Sequence, residues 1–159
     1  MGDYSKAKEC IVFDIDGTLA DMSHRVKYVD GSLGKKDFDK FYSEMHKDTV
    51  IEPVFRAANL WNTAKYTLFF CTGRPEEYRE ITYEWLVNKG VGGVDSDRLL
   101  MRPNERRYES DAIVKKDMCE EIVNVRGYRI LCVYEDRQRV VDMWRSRGVF
   151  VLQCAKGAF

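Results

Sequence analysis

The sequence predicts an α/β domain, a parallel sheet with helices on both faces, in one unit spanning residues 1–159. Short apolar runs of strand length alternate along the chain with stretches of helical periodicity. Three of the four clearest runs stop abruptly at polar, chemically capable residues. The length of 159 residues is enough for one buried core and too short for two.

The first run, residues 10–13 (Cys-Ile-Val-Phe), halts at acidic residues, as a strand buried on both faces would. A second run, 66–71, ends at Thr72-Gly73-Arg74-Pro75, and a third, 128–134, ends at Glu135-Asp136. A fourth covers 149–154, and 98–102 reads as a fifth. Between them Ile51, Val54, Ala58 and Trp61 share one helical face, as do Tyr78, Ile81 and Trp85, and further on Val140, Met143 and Trp144. Residues 111–123 also read as helix. In such sheets ligands bind beyond the carboxyl ends of the strands. An insert of roughly 22–50 interrupts the alternation and forms a small helical cap, with Phe38, Phe41, Tyr42 and Met45 on one face. Docking of that face onto the domain is preferred over substrate contact.

Composition narrows the function classes. A hydrophobic fraction of 45% with 13% aromatics excludes a disordered chain. Lys plus Arg (26) balances Asp plus Glu (26), so overall charge does not announce nucleic acid, although a local basic patch would suffice. The apolar runs are too short to span a bilayer, and residues 1–9 lack the apolar stretch of a signal peptide. Five cysteines without a Cys-x-x-Cys, four of them in apolar runs, read as buried reduced thiols, so the expected location is cytoplasmic. His24 and His46 are isolated and have no ligand spacing.

The chemistry concentrates in Asp14-Ile15-Asp16-Gly17-Thr18. Two carboxylates at i and i+2 leave a buried strand, and a glycine permits the tight turn that follows. Their repulsion is costly unless a cation sits between them, and a hard ion such as Mg²⁺ suits oxygen ligands. One carboxylate can attack phosphorus while the other handles the leaving group's proton. Thr72-Gly73 offers a hydroxyl and a backbone N–H for phosphoryl oxygens, Lys115 a compensating charge, and Glu135-Asp136 a further acidic pair for the metal. Phosphoryl transfer works mainly by positioning and charge stabilisation, so this inventory is close to sufficient.

In this order, Asp14-Ile15-Asp16-Gly17-Thr18, Thr72-Gly73-Arg74, Lys115 and Glu135-Asp136 resemble the four motifs of the haloacid dehalogenase (HAD) phosphohydrolases. The resemblance implies a Rossmann-like fold, an aspartyl-phosphate on Asp14, and Asp16 as general acid and then base. It also implies Mg²⁺ held by Asp14, the Asp16 carbonyl and Asp136. Nearly the whole chain is also similar to the 3′-phosphatase domain of phage polynucleotide kinase/phosphatase. That likeness runs through Arg25, residues 111–115, and 135–145. It implies that Arg25 and Arg74 bind the scissile phosphate or nearby backbone, that Asp111 orients Lys115 or Arg74, and that a phosphorylated nucleic-acid end is the substrate.

The sequence departs from that pattern at two points. No Gly-x-x-x-x-Gly-Lys-Ser/Thr is present, so no kinase domain lies in this chain, and Glu135 stands where an aspartate is expected. Arg98, Arg102, Arg106 and Arg107 with Tyr108, and Arg137, Arg139, Arg145 and Arg147, form two basic sets. Arg102 and Arg106 are candidates for substrate contact through the pairing of arginine with an aromatic, against the alternative of a solvated face. Free nucleotides or other small phosphomonoesters remain a second substrate reading. A receiver-type signalling domain is disfavoured, because it expects its acid at the end of a middle strand, where Thr72-Gly73 stands. A binding module without turnover would have lost one acid, and both Asp14 and Asp16 are present.

Overall fold

A computed structural model describes residues 8–157. The expectation of a leaderless polar start at 1–9 therefore falls largely outside the described residues. Five strands, β1 (Lys8–Phe13), β4 (Thr67–Pro75), β5 (Leu99–Arg102), β6 (Tyr128–Glu135) and β7 (Val151–Gln153), form one sheet in the order β5-β4-β1-β6-β7. Every pairing in it is parallel. The α/β class is as expected.

Alternate residues of β1 face opposite layers, as the strand's period of two requires. Ile11 and Phe13 pack with α2 (Glu52–Thr63) through Val54 and Ala58, and with α3 (Arg79–Asn88) through Trp85 and Leu86. Cys10 and Val12 pack with α4 (Asp111–Glu120) through Val114 and Met118, and with α5 (Gln138–Ser146) through Val140, Val141 and Trp144. All four β1 side chains are wholly buried, which explains why this strand reads as a continuous apolar run rather than an alternating one. The cysteines are free; four are buried and Cys154 is half-buried. Burial pushes the Cys10 thiol up to about 12, so it behaves as a small hydrophobe.

Several boundaries differ from expectation. The second strand runs on through Thr72-Gly73-Arg74 to Pro75, with its register against β5 shifting between Cys71 and Pro75. The Thr72-Gly73-Arg74 segment is therefore a distorted strand end. The helix expected over 111–123 is α-helical to Glu120 and then widens into a π-helical turn, Glu121–Val125. Tyr78 lies ahead of α3, whose buried face is Thr82, Trp85 and Leu86. Among the described residues no helix is long and apolar enough to cross a membrane.

The insert is clasped at its base by a two-stranded antiparallel ribbon, β2 (Ala20–Asp21) against β3 (Thr49–Val50). Its short helix α1 (Phe38–Ser43) is capped by Asp37, whose side chain accepts from the Lys40 N–H at 2.9 Å. The aromatic stripe divides. Phe41 and Met45 are buried and dock the insert, while Phe38 is 44% exposed and, with Tyr42, lines a cavity.

Candidate active site

The carboxyl ends of β1, β4 and β6 converge on one spot. Asp14, just past β1, is 5% exposed. Lys115, on the first turns of α4, donates to Asp14 Oδ1 at 2.6 Å and to Glu135 Oε2 at 2.7 Å. Thr18 Oγ1 donates to Asp14 Oδ2 at 3.1 Å, so the carboxylate is held at both oxygens. Asp14, Glu135 and Asp136 offer carboxylate oxygens that all lie within 4.8 Å of one another, and all three residues are buried.

Three buried carboxylates face one ammonium, leaving about two unbalanced negative charges if all ionise. Burial first, and then the charge of Asp14, push Glu135 up to about 8 and Asp136 up to about 7. Burial opposes the charge on Lys115, but Asp14 and Glu135 more than reverse this and raise it. A hard divalent cation would remove that conflict, and an all-oxygen donor set fits Mg²⁺. Gly17 is required at the turn. Its φ is +83°, and a Cβ there would stand 2.3 Å from Asp136 Oδ2.

Asp16, two residues after Asp14, has an opposite environment. Arg25 Nη2 donates to its Oδ1 at 2.6 Å, and Arg74 reaches the same carboxylate through Nη2 at 2.7 Å and Nε at 3.0 Å. Both arginines are wholly buried. Both also meet Asp48, which accepts from Arg25 Nε at 2.7 Å, Arg25 Nη2 at 2.6 Å and Arg74 Nη2 at 3.1 Å. Burial would raise the Asp16 carboxyl, but the charges of Arg74 and Arg25 hold it well below the usual carboxylate range. Asp48 is raised, first by burial, although the hydrogen bonds from Arg25 pull the other way.

The network shows where the expected residues stand. Arg25 and Arg74 are not among the residues that line the cavity; their guanidiniums clamp Asp16 to Asp48, because two buried cations need anionic partners. Asp111 contacts neither Lys115 nor Arg74. It pairs with Arg102 and Arg137, and its carboxylate would crowd any side chain at Gly73.

A cavity of about 500 Å³ opens over the carboxylates. Asp14, Asp16, Gly73, Lys115, Glu135 and Asp136 form its floor, and Arg102, Arg137 and Arg139 one wall. Thr72 is wholly buried and its hydroxyl accepts from the Arg74 N–H at 3.2 Å, so the motif meets the cavity through Gly73 instead. Arg102 is buried and donates to the carbonyls of Gly73, Arg106 and Glu109, tying the 103–110 loop to the site. Arg106 stays outside, paired with Glu109 and Asp117. His24 is also outside, 3.7 Å from Asp48. Sequence reasoning missed Asp48 altogether and assigned Phe38 and Tyr42 to docking. Asp48 carries no local motif; its only signal is an acid directly before the extended Thr49-Val50 that re-enters the core.

Comparison with known proteins agrees with this geometry. The family model described as the polynucleotide kinase PNKP phosphatase domain matches residues 8–159. Two solved structures, of a Pnkp1/Rnl/Hen1 complex and of the Pnkp1/Rnl/Hen1 RNA repair complex, match at 28% identity with TM-scores of 0.79 and 0.78. Each match covers 100% of this chain, but only 49% and 46% of the respective chains, so this chain spans about half of their length. A class C acid phosphatase from Bacillus anthracis matches at TM-score 0.73 and 13% identity, over 97% of this chain and 69% of that one, a likeness of fold.

Proposed function

We propose that this chain, which belongs to the family of polynucleotide kinase PNKP phosphatase domains, removes 3′-phosphates from nucleic-acid ends using Mg²⁺ and a covalent aspartyl-phosphate. It is a phosphoric monoester hydrolase of the HAD superfamily. The observation that carries the mechanism is Asp14, held between Lys115 and Thr18 beside two further buried acids on the cavity floor.

In the first step an Asp14 oxygen bonds to phosphorus, the bond from phosphorus to the substrate's 3′-oxygen breaks, and that oxygen takes a proton from Asp16. In the second, water attacks the phosphoryl group, gives a proton to Asp16, and releases inorganic phosphate and free Asp14. Lys115 orients Asp14 and offsets charge as the phosphate arrives. Mg²⁺, held by Asp14, the Asp16 carbonyl and Asp136 with Glu135 beside them, would supply Lewis-acid charge for the phosphoryl oxygens. The arginine clamp holds Asp16 ionised, the form that accepts a proton from water. To donate in the first step, Asp16 takes up a proton from solvent as the negative charge of the incoming phosphate offsets the two arginines, and the proton gained from water in the second step restores that form.

The substrate end is supported by the family, by the 28% identity to chains from an RNA repair complex, and by the basic wall of the cavity. The test is phosphate release, with Mg²⁺ and with chelator. The panel is a 3′-phosphorylated oligonucleotide, its 5′-phosphorylated twin, 3′- and 5′-mononucleotides and an aryl phosphate. The 3′-phosphorylated oligonucleotide should be preferred. Asp14→Asn and Asp16→Asn should abolish turnover while remaining folded, and retained activity in either would sink the mechanism. Preference for mononucleotides would keep the chemistry and move the function to small-molecule metabolism.

A further inference from the structure

The cavity over the carboxylates does not end at its basic wall. Lys36, Phe38, Arg107 and Tyr108 line it and also line a second, outer cavity of about 480 Å³. These residues come from two separate loops. Lys36 and Phe38 belong to the start of α1 in the insert, and Arg107 and Tyr108 to the 103–110 loop that Arg102 anchors to Gly73. Each of the two segments therefore contributes one aromatic, Phe38 and Tyr108, to the lining that the two cavities share.

Both aromatics are exposed where packing does not require it. Tyr108 is 91% exposed, while Phe38 is 44% exposed and continues into a row of rings, 6.4 Å from Tyr42, which is 4.9 Å from Tyr78. The cations beside them are incompletely neutralised. Among the described residues Lys36 has no ion-pair partner, and Arg139 has only a 3.9 Å approach to Asp111. Arg107 is engaged by Glu77 at 2.6 Å and by Asp39 at 3.8 Å, and Asp37 and Asp39 also line the outer cavity, so Lys36 and Arg139 are the cations left for a backbone. Two π-faces flanked by cations, at the mouth of a phosphate-handling site, suit an unpaired base on a charged backbone.

We infer that Phe38 and Tyr108 form a clamp that stacks a base of an unpaired 3′-end, with Lys36 and Arg139 on the adjoining backbone phosphates. This inference rests on the nucleic-acid reading of the site and narrows it to single-stranded or frayed ends, because a base still paired in a blunt duplex cannot enter between two rings.

The test compares kcat/KM for a 3′-phosphorylated single-stranded oligonucleotide, the same strand in a blunt duplex, a 3′-mononucleotide and an aryl phosphate. It uses wild type, Tyr108→Ala, Tyr108→Trp and Phe38→Leu. Stacking energies per base predict that Tyr108→Ala lowers the ratio of oligonucleotide to aryl phosphate turnover about 5- to 150-fold. Tyr108→Trp should keep that ratio, Phe38→Leu should lower it, and the single strand should exceed the blunt duplex in wild type. Tyr108 packs against no core residue, so its replacement should leave the fold intact, and a melting curve on each variant checks this. If wild type prefers the oligonucleotide but neither Tyr108→Ala nor Phe38→Leu changes the ratio, or the duplex does as well as the single strand, the clamp is overturned and the substrate reading stands. If wild type prefers the mononucleotide, the substrate reading falls and takes the clamp with it.

Discussion

Asp48→Asn is the sharpest test of the arginine clamp. The substitution keeps shape and removes one negative charge from a group in which Arg25, Arg74 and Asp48 are wholly buried and only Asp16 meets the cavity. Asp48 accepts three short hydrogen bonds from the two guanidiniums, and its main-chain carbonyl accepts a fourth from Trp85 Nε1 at 3.0 Å. Only the first three depend on the charge. Afterwards Arg25 and Arg74 share the single carboxylate of Asp16, and the new amide points a donor at donors. Removing one partner from a buried ion network costs about 3–5 kcal/mol. At about 2–4 °C per kcal/mol for a chain of this size, the melting temperature should fall by about 6–20 °C. Turnover measured well below the new melting point should fall too, because the anchor that sets where Asp16 sits is gone. The assay pairs thermal melting with phosphate release over a range of pH. Glu52→Gln, which breaks the exposed Glu52–Arg56 pair, is the control and should stay within about 2 °C of wild type. A shift below about 2 °C in Asp48→Asn, with an unchanged pH profile, would refute the reasoning, since the network would then contribute neither stability nor positioning.

Gly17→Ala places a Cβ against the Asp136 carboxylate in a backbone conformation that costs an L-residue about 1–2 kcal/mol. Displacing Asp136 should weaken Mg²⁺ dependence of turnover about 10- to 100-fold in half-saturating concentration, by analogy with other lost metal-site supports. Lys115→Met leaves Asp14 and Glu135 buried without their common cation and should lower stability by about 3–5 kcal/mol in chemical denaturation, as well as abolish turnover. For pH, the raised Glu135 and Asp136 bind protons in the folded state that the unfolded chain has released above their ordinary values of 4.5 and 3.8. Stability of the chelator-treated protein should therefore be full at about pH 4 and fall as pH rises through about 8. Melts across that window should show the loss flattened by Mg²⁺, and a metal-free protein that gains stability toward pH 8 would contradict the anionic hub.

Much of the fold and the floor of the site was legible because both are local in sequence. The strands are short apolar runs, and Asp14, Asp16, Gly73, Glu135 and Asp136 stand at or just past their ends, where a parallel sheet gathers them, while Lys115 reaches the same spot from α4. What was illegible depends on long-range pairing. Arg25 reaches Asp48 across 23 residues and Arg74 reaches Asp16 across 58, so nothing in either neighbourhood marks these arginines as internal rather than substrate-facing. The pairing of Asp111 with Arg102 and Arg137 is equally unmarked in its neighbourhood. The stripe Phe38, Phe41, Tyr42 and Met45 misled differently. It is one periodic pattern, but a helix of six residues lies at a cavity edge, so half of the stripe docks and half faces the opening.

The two acids of the motif illustrate how far spacing alone can carry a chemical argument. Asp14 and Asp16 are two residues apart and both face the cavity, so repulsion between them was the expected problem and a shared cation its remedy. The fold instead divides them between two electrostatic settings. Asp14 belongs to a cluster with an excess of carboxylates, balanced in part by Lys115, and Asp16 to a group with matched arginines and aspartates. The proposed roles, a nucleophile at Asp14 and a proton carrier at Asp16, would need different environments, because the first must stay placed while the second must change its protonation during turnover. The insert makes that division, since it supplies Arg25 and Asp48, and the core supplies Arg74. On the proposed mechanism the cap is thus part of the proton-handling half of the site, and changes to its clasp at β2 and β3 should alter the chemistry of Asp16 before they alter access to Asp14.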